Sequence, residues 1–205
     1  EQDCAPNRDD PWLLGYFIDN ELEWYGKIGR EWGLFVEAFK KPAGHTAKAA
    51  VVDFLRERYG SIEEFNRHWR PAAGSWEALA ALTEAPEPTD EGAEQARIDF
   101  VRLCAERYFA VTTAAIRKHD PNHMILGNRF AGDAPPIWDI AGKYCDIVSV
   151  NNYPRVDMEA GVVEGLEEHL LKRHQECQRP MMLTEWSFPA LDSGLPCKHG
   201  AGMRV

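Results

Sequence analysis

Four short apolar runs in this sequence are each followed closely by polar or aromatic side chains that could carry chemistry. These groups are Asn20-Glu21, Asn128, Asn152-Tyr153 and Glu185-Trp186. Two of the groups contain a glutamate, and two carboxyl groups about 5 to 5.5 Å apart can hydrolyse a glycosidic bond with retention of configuration. One carboxylate attacks the anomeric carbon, while the other protonates the leaving oxygen and later activates water. A separation of about 6.5 to 9.5 Å would instead indicate inversion.

The residues near the two glutamates fit the same chemistry. Asn20 can hydrogen-bond a sugar hydroxyl, and Tyr153 can donate its hydroxyl to a glutamate oxygen. The candidate substrate-binding residues are Asn20, Tyr153, Trp24, Asn128, Asn152 and Trp186. Each has an ordinary alternative, because Asn or Glu at a strand end is often turn chemistry and Trp usually packs in a core. The hypothesis therefore depends on the ordered set.

The elements that must position these side chains alternate along the chain. Apolar runs predict strands over residues 13–18, 124–127, 146–150 and 181–184. Helical spacing predicts helices over residues 47–58, 61–69, 90–118, 137–144 and 162–175, the second capped by Ser61. This alternation indicates an α/β fold with a parallel sheet, whose strand ends gather at one edge. Only a curved or closed sheet would bring Glu21 and Glu185 face to face.

The length of 205 residues predicts a single domain spanning residues 1–205. Residues 71–89 are rich in Ala and Pro and show little periodicity, so they predict a surface excursion. The longest helical pattern, residues 90–118, has core candidates at Ile98, Val101, Leu103, Tyr108, Phe109, Val111 and Ile116.

Composition excludes several classes of partner. A net charge of -10 and a pI near 5.2 disfavour nucleic acid and anionic membranes. The sequence contains no apolar run of the roughly 20 residues that a membrane span needs. The polar start of the chain differs from a signal peptide. We therefore expect a soluble protein, cytoplasmic or secreted, and the location stays open.

Five widely spaced cysteines disfavour a disulfide framework. A zinc site could be sought among His174, Cys177, Cys197 and His199, but their spacing matches no familiar template. We therefore expect no metal and no cofactor.

The segments that carry these groups resemble a known family of enzymes. Residues 16–24 resemble the acid/base segment of clan A glycoside hydrolases, and residues 54–66 and 117–122 are similar to family 42 β-galactosidases. Residues 146–154 resemble the strand with a tyrosine near the nucleophile, and residues 183–188 the nucleophile strand. Residues 189–196 look more like agarase-related members.

This resemblance implies a (β/α)8 barrel and a retaining β-glycosidase acting on β-galactosides or related galactan and agaro-type saccharides. It implies Glu21 as acid/base, Glu185 as nucleophile, and no cofactor. The resemblance covers only about strands four to seven, whereas a whole barrel needs about 250 residues. The chain is then a fragment, associates with a second copy, or is completed by another chain. The alternative function is a carbohydrate-binding remnant, or an oligomerising barrel fragment, without catalysis.

Overall fold

The computed structural model describes residues 2–190, 192 and 194, which form an α/β structure. After a short 3-10 helix (Ala5–Asn7), the elements are β1 (Gly15–Tyr16), α1 (Gly33–Phe39), α2 (Thr46–Tyr59), α3 (Ile62–His68), β2 (Trp69–Arg70), α4 (Trp76–Ala80), β3 (Glu87–Pro88), α5 (Glu91–His119), β4 (Met124–Ile125), β5 (Phe130–Ala131), α6 (Trp138–Tyr144), β6 (Val148–Asn151), β7 (Val156–Asp157), β8 (Val162–Val163), α7 (Leu166–Cys177) and β9 (Met181–Glu185). All four predicted strand positions hold a strand.

The chain forms two compact units where the sequence predicted a single domain. Unit 1 comprises Glu1–Leu22 and Ala105–Val205, and unit 2 comprises Glu23–Cys104. Unit 2 is thus inserted in the sequence between β1 and the second half of α5. Along the described residues, no helix has both the length and the apolar composition needed to cross a bilayer.

Unit 1 is organised around parallel strands. β1 pairs with β4, and β6 pairs with β5 on one side and β9 on the other, all in parallel. The backbone N–H groups of Asp146 and Ile147 both donate to the carbonyl of Ile125, which joins β4 to the segment entering β6. All four residues of β6 are buried, as expected for a parallel strand covered on both faces. The carboxyl ends of β1, β5, β6 and β9 therefore point in one direction.

The two helices after β5 pack closely because a glycine lies at their contact. A Cβ atom on Gly142 of α6 would lie 1.9 Å from the carbonyl oxygen of Cys177 at the end of α7. The Nε of Arg179 also donates to the Gly142 carbonyl at 2.7 Å. Any side chain at this position would push α6 away from α7.

A buried cluster ties β1 to the loop between α5 and β4. The Tyr16 hydroxyl donates to Asp120 Oδ2 at 2.6 Å, and the His123 Nδ1 lies 2.7 Å from the same oxygen. Burial alone would raise the pKa of Asp120, but these contacts and two backbone N–H groups outweigh it and hold that pKa below its ordinary value. Hydrogen bonds to the Asp10 carbonyl and to Asp120 raise the pKa of His123.

These shifts give the stability of unit 1 a defined pH window. The depressed Asp120 pKa stabilises the fold above the ordinary value of 3.8, and this contribution is lost as the pH falls through the folded pKa. The raised His123 pKa stabilises the fold below the ordinary value of 6.5, and this contribution is lost as the pH rises through the folded pKa. Both contributions are complete only between these two values.

Within that window, Tyr16→Phe is expected to lower the free energy of unfolding by about 1.5–3 kcal/mol, because it removes a hydrogen bond to a charged acceptor. Urea unfolding of wild type and variant across pH measures the difference. The gap between the two proteins should shrink at low pH, where Asp120 takes up a proton. A gap that stays constant with pH would contradict a charged Asp120 as the acceptor.

Unit 2 packs around stacked aromatic rings. The Phe35 ring lies 5.5 Å from Trp69, which in turn stacks on Phe65 at 5.6 Å with an interplanar angle of 6°. All three side chains are fully buried. Helix α3 begins where predicted, because the Ser61 hydroxyl accepts a hydrogen bond from the N–H of Glu64 at 3.1 Å.

The segment 71–89, predicted as a surface excursion, contributes to this core. It contains α4, whose Leu79 is 0% exposed, and β3, which pairs antiparallel with β2. The helix was not predicted because its five residues are too few to show helical periodicity. The excursion therefore includes a small packed element.

Leu79→Ala is expected to lower the free energy of unfolding by about 2–5 kcal/mol, because it leaves a cavity in a closed core. Leu103→Ala is the matched control in the same unit, since Leu103 on α5 is 47% exposed. Thermal unfolding of both variants measures the contrast. Equal shifts in the two melting temperatures would mean that α4 does not pack as described.

Two further predictions need correction. Helix α7 begins at Leu166, not at residue 162, because the β-branched pair Val162–Val163 forms β8, which pairs with β7 in a hairpin. On α5, the predicted core positions Leu103 and Val111 are about half exposed. The buried positions of that helix are Ala93, Ala96, Arg97, Phe100, Val101, Ala105, Phe109 and Thr113.

Candidate active site

Glu21 lies beyond the carboxyl end of β1 in a sharply turned segment. Its backbone has a φ of 52°, a left-handed conformation that non-glycine residues seldom adopt. Its N–H donates to the carbonyl of Arg129 at 3.2 Å, and its Oε1 accepts a hydrogen bond from Asn151 Nδ2 at 2.9 Å. The side chain is otherwise exposed, so the carboxyl group is open to a substrate.

Glu185 is the last residue of β9, and each of its carboxylate oxygens has a partner. Oε1 accepts from Arg129 Nη2 at 2.6 Å, and Oε2 accepts from the Tyr153 hydroxyl at 2.7 Å. The side chains of Glu185 and Arg129 are 33% and 24% exposed, so solvent screens this ion pair only in part. The carboxylate is therefore held at both oxygens while its face stays accessible.

A β-bulge aims the side chains between the two glutamates. The pairing of β6 and β9 shifts register after Val150, so that Asn151 faces Glu185 and Thr184 is the extra residue. The Thr184 hydroxyl donates to Asn151 Oδ1 at 2.8 Å, which fixes the amide so that its nitrogen points at Glu21. The bulge thereby links Glu21 to the strand that carries Glu185.

Both glutamates raise the pKa of the Tyr153 hydroxyl. Its hydrogen bond to Glu185 raises the pKa of the hydroxyl most, and burial and the charges of Glu185 and Glu21 raise it further. The hydroxyl thus stays protonated near neutral pH and donates to Glu185. Contacts through Asn151, Arg129 and Tyr153 place both glutamates in one cluster at the carboxyl ends of the parallel strands.

Comparison with known proteins identifies the family to which this cluster belongs. The model of glycoside hydrolase family 42, described as β-galactosidase, matches residues 7–192. The chain belongs to this family. Glu21 and Glu185 both lie inside the matched region.

Relatives of this glycoside hydrolase include agarases. The chain is 29% identical over 194 residues to β-agarase B of Vibrio sp. (strain JT0107), covering 92% of this chain but only 20% of that protein. It is 24% identical over 176 residues to the β-galactosidase BgaP of Planococcus sp. (strain L4), covering 69% of this chain and 25% of that protein. The chain thus spans about a fifth to a quarter of these relatives.

The fold also matches a solved agarase. The crystal structure of an agarase superposes with a TM-score of 0.73 at 32% identity, covering 90% of this chain and 26% of that chain. Nearly the whole length of this chain therefore superposes on about a quarter of a larger chain.

The structure brings together only part of the predicted site. Asn20 is exposed, and its Oδ1 lies 3.5 Å from Asn151 Nδ2. Asn152 contributes its backbone, donating its N–H to the Glu185 carbonyl at 2.9 Å. Trp186 is 59% exposed and lies 5.9 Å from the Phe188 ring, so it presents a face to solvent.

Two of the predicted site residues, Trp24 and Asn128, are buried. Trp24 belongs to unit 2 and is only 6% exposed, which leaves no ring face for a sugar to stack on. Asn128 is 1% exposed, and neither amide atom has a hydrogen-bond partner among the described residues. The sugar-binding roles of these two residues stay predictions.

Sequence reasoning missed three residues that contact the glutamates or fix their partners, namely Arg129, Asn151 and Thr184. Each is adjacent to a residue or run that was singled out: Arg129 follows Asn128, Asn151 precedes Asn152, and Thr184 precedes Glu185. The strand ends were thus located correctly, but the side chain facing the site differs by one position. The available signal was the charged Arg129, two positions after the predicted strand 124–127.

The described residues include no group of three or more His, Cys, Asp or Glu side chains placed to hold a metal ion. Two residues of the zinc site considered from sequence, Cys197 and His199, lie outside the described residues. In the segment 189–196 that resembles agarase-related members, residues 191, 193, 195 and 196 also lie outside them. The chemistry of the cluster rests on carboxyl, guanidinium, amide and phenol groups.

Proposed function

We propose that this chain carries the two-glutamate centre of a retaining β-glycoside hydrolase that acts on β-galactosidic linkages of galactosides or agaro-type saccharides. The observation that carries the proposal is that one group of contacts connects Glu21 and Glu185, which lie far apart in the sequence. Arg129 bonds to both glutamates, Asn151 donates to Glu21 and pairs with Glu185 across the sheet, and Tyr153 donates to Glu185. Membership of a β-galactosidase family and the likeness to agarases support the substrate class.

In this reaction Glu185 attacks the anomeric carbon, and contacts on both carboxylate oxygens hold it in one orientation. Glu21 donates a proton to the glycosidic oxygen as that bond breaks, which releases the leaving sugar. Glu21, now a carboxylate, takes a proton from water, and the water oxygen displaces Glu185 from the anomeric carbon. Two inversions give net retention, and the route uses no metal or cofactor.

The exposed groups suggest how the sugar is held. Asn20 next to Glu21 is placed to hydrogen-bond a hydroxyl of the sugar, and Asn152 lies at the end of the adjacent strand. Trp186 directly after Glu185 offers an exposed ring for stacking on a pyranose. Because all three follow strands that end at the same edge, they flank the carboxylates.

We further propose that β1, β4 with β5, β6 and β9 are strands four to seven of a (β/α)8 barrel, and that unit 1 is its catalytic part. Within the described residues β1 pairs only with β4, and β9 only with β6, so both sheet edges are open to further strands. The chain covers only 20% and 25% of the length of two of its relatives. A longer polypeptide, a second copy or a complementing chain supplies the remaining units.

The exposed ring of Trp186 also fits a second candidate, a carbohydrate-binding remnant that does not turn over. A panel of nitrophenyl β-glycosides and agaro-oligosaccharides separates the two. Hydrolysis of β-galactosides, with a β-anomer as the first product by proton NMR, supports the retaining enzyme. An α-anomer as first product would overturn retention, and binding by calorimetry without hydrolysis would favour the remnant.

A further inference from the structure

Arg129 contacts both glutamates, each with a different part of the residue. Its carbonyl accepts the N–H of Glu21 at 3.2 Å, and its Nη2 donates to Glu185 Oε1 at 2.6 Å. One residue therefore joins the backbone of one carboxyl-bearing segment to the side chain of the other.

The backbone of Arg129 is left-handed, with a φ of 48° that matches the 52° of Glu21. Such a conformation in a non-glycine residue persists only where the surroundings hold it, and it concentrates at functional sites. Here the Arg129 N–H donates to Ser149 Oγ at 3.0 Å, and the guanidinium lies over the Phe17 ring at 5.5 Å. Contacts on the amide, the carbonyl and the side chain all fix this one residue.

We infer that Arg129 is a positioning residue for the reaction, holding the Glu185 carboxylate in one orientation while its backbone fixes the turn that carries Glu21. The inference rests on the proposed function. A guanidinium suits the task because it stays charged at all relevant pH values and binds in a fixed plane. Lysine keeps the charge but not the planar geometry, whereas glutamine keeps neither the charge nor the reach.

The test compares Arg129→Gln and Arg129→Lys with wild type by carbon-13 NMR of labelled glutamate side chains. Glu185→Gln identifies the Glu185 signal by its disappearance. In Arg129→Gln this signal, recorded at one neutral pH, should move and broaden, because the carboxylate loses the donor that holds Oε1 at 2.6 Å and samples more than one orientation. In Arg129→Lys the movement should be less than half as large. Arg129→Gly, which tolerates the left-handed backbone, replaces the glutamine variant if that fails to fold.

Activity on a nitrophenyl β-galactoside provides the second measurement. In Arg129→Gln, kcat should fall about 10- to 100-fold with a smaller change in KM, since the interaction serves chemistry more than binding. Tyr153→Phe is the matched comparison, because it removes a partner of Glu185 without removing a charge.

The two hypotheses fail in different ways. A Glu185 signal that stays in place and sharp in Arg129→Gln overturns the role of Arg129, whatever the activity, and leaves the proposed function standing if wild type hydrolyses galactosides. A signal that moves in Arg129→Gln, when the wild-type protein hydrolyses no galactoside, supports the contact of Arg129 with Glu185 and counts against the proposed function alone.

Discussion

Glu185→Gln is expected to reduce turnover of a nitrophenyl β-galactoside by roughly 10⁴-fold or more, the scale seen when a nucleophile is removed. An amide of the same size retains an oxygen that can accept from Arg129 or Tyr153, so the cluster keeps its shape. The amide cannot form the glycosyl–enzyme bond, so the first step fails. Initial rates at saturating substrate measure the loss.

Glu168→Gln is the matched control, because Glu168 is an exposed glutamate on α7 of the same unit. This variant should retain the wild-type rate. A 2-deoxy-2-fluoro-galactoside with a good leaving group should add one sugar mass to wild type and none to Glu185→Gln. Wild-type turnover by Glu185→Gln, from freshly purified protein, would exclude Glu185 as the nucleophile.

The positions of the functional strands follow from simple patterns in the sequence. Apolar runs that end in polar residues located β1, β4, β6 and β9, because a parallel strand is buried on both faces and exposes only its end. Ser61 located the start of α3, because a hydroxyl at that position satisfies an otherwise unpaired N–H. Both signals are local, so each can be read without knowing the fold.

The side chains that face the site could not be predicted in the same way. Asn151 faces Glu21 because a bulge opposite it shifts the register, and a bulge depends on pairing between distant strands. Arg129 reaches Glu185 because its backbone turns left-handed after β4, against the preference of its residue type. Such features depend on surrounding contacts, which override local propensity, and strain of this kind concentrates at functional sites.

The division into two units was also hidden from the sequence. Helix α5 crosses the boundary at Cys104 and Ala105 without a break, so no linker marks it. Five of its eight buried positions are alanine, arginine or threonine, residue types that carry little hydrophobic signal. Leu103 and Val111 are more apolar and were therefore predicted in the core, although both are about half exposed.

Glu21→Ala is expected to lose activity in a way that depends on the leaving group. For a galactosyl saccharide, whose leaving alkoxide needs a proton, the rate should fall about 10²- to 10⁴-fold, the usual contribution of a general acid. For a dinitrophenyl β-galactoside, which departs without protonation, the first step should remain fast and the glycosyl–enzyme should accumulate. Pre-steady-state release of dinitrophenol, with Glu168→Ala as the control, measures this difference.

Azide then distinguishes the two possible roles of Glu21. A small anionic nucleophile needs no general base, so azide should restore turnover of the dinitrophenyl substrate in Glu21→Ala, and the product should be the β-galactosyl azide. That configuration requires azide to displace Glu185 from a covalent intermediate, which is possible only in a retaining mechanism. An α-galactosyl azide would mean direct displacement on the substrate and would make Glu21 the base of an inverting enzyme. Equal losses on both leaving groups, with no effect of azide, would mean that Glu21 only supports Asn151, whose amide nitrogen lies 2.9 Å from its carboxylate.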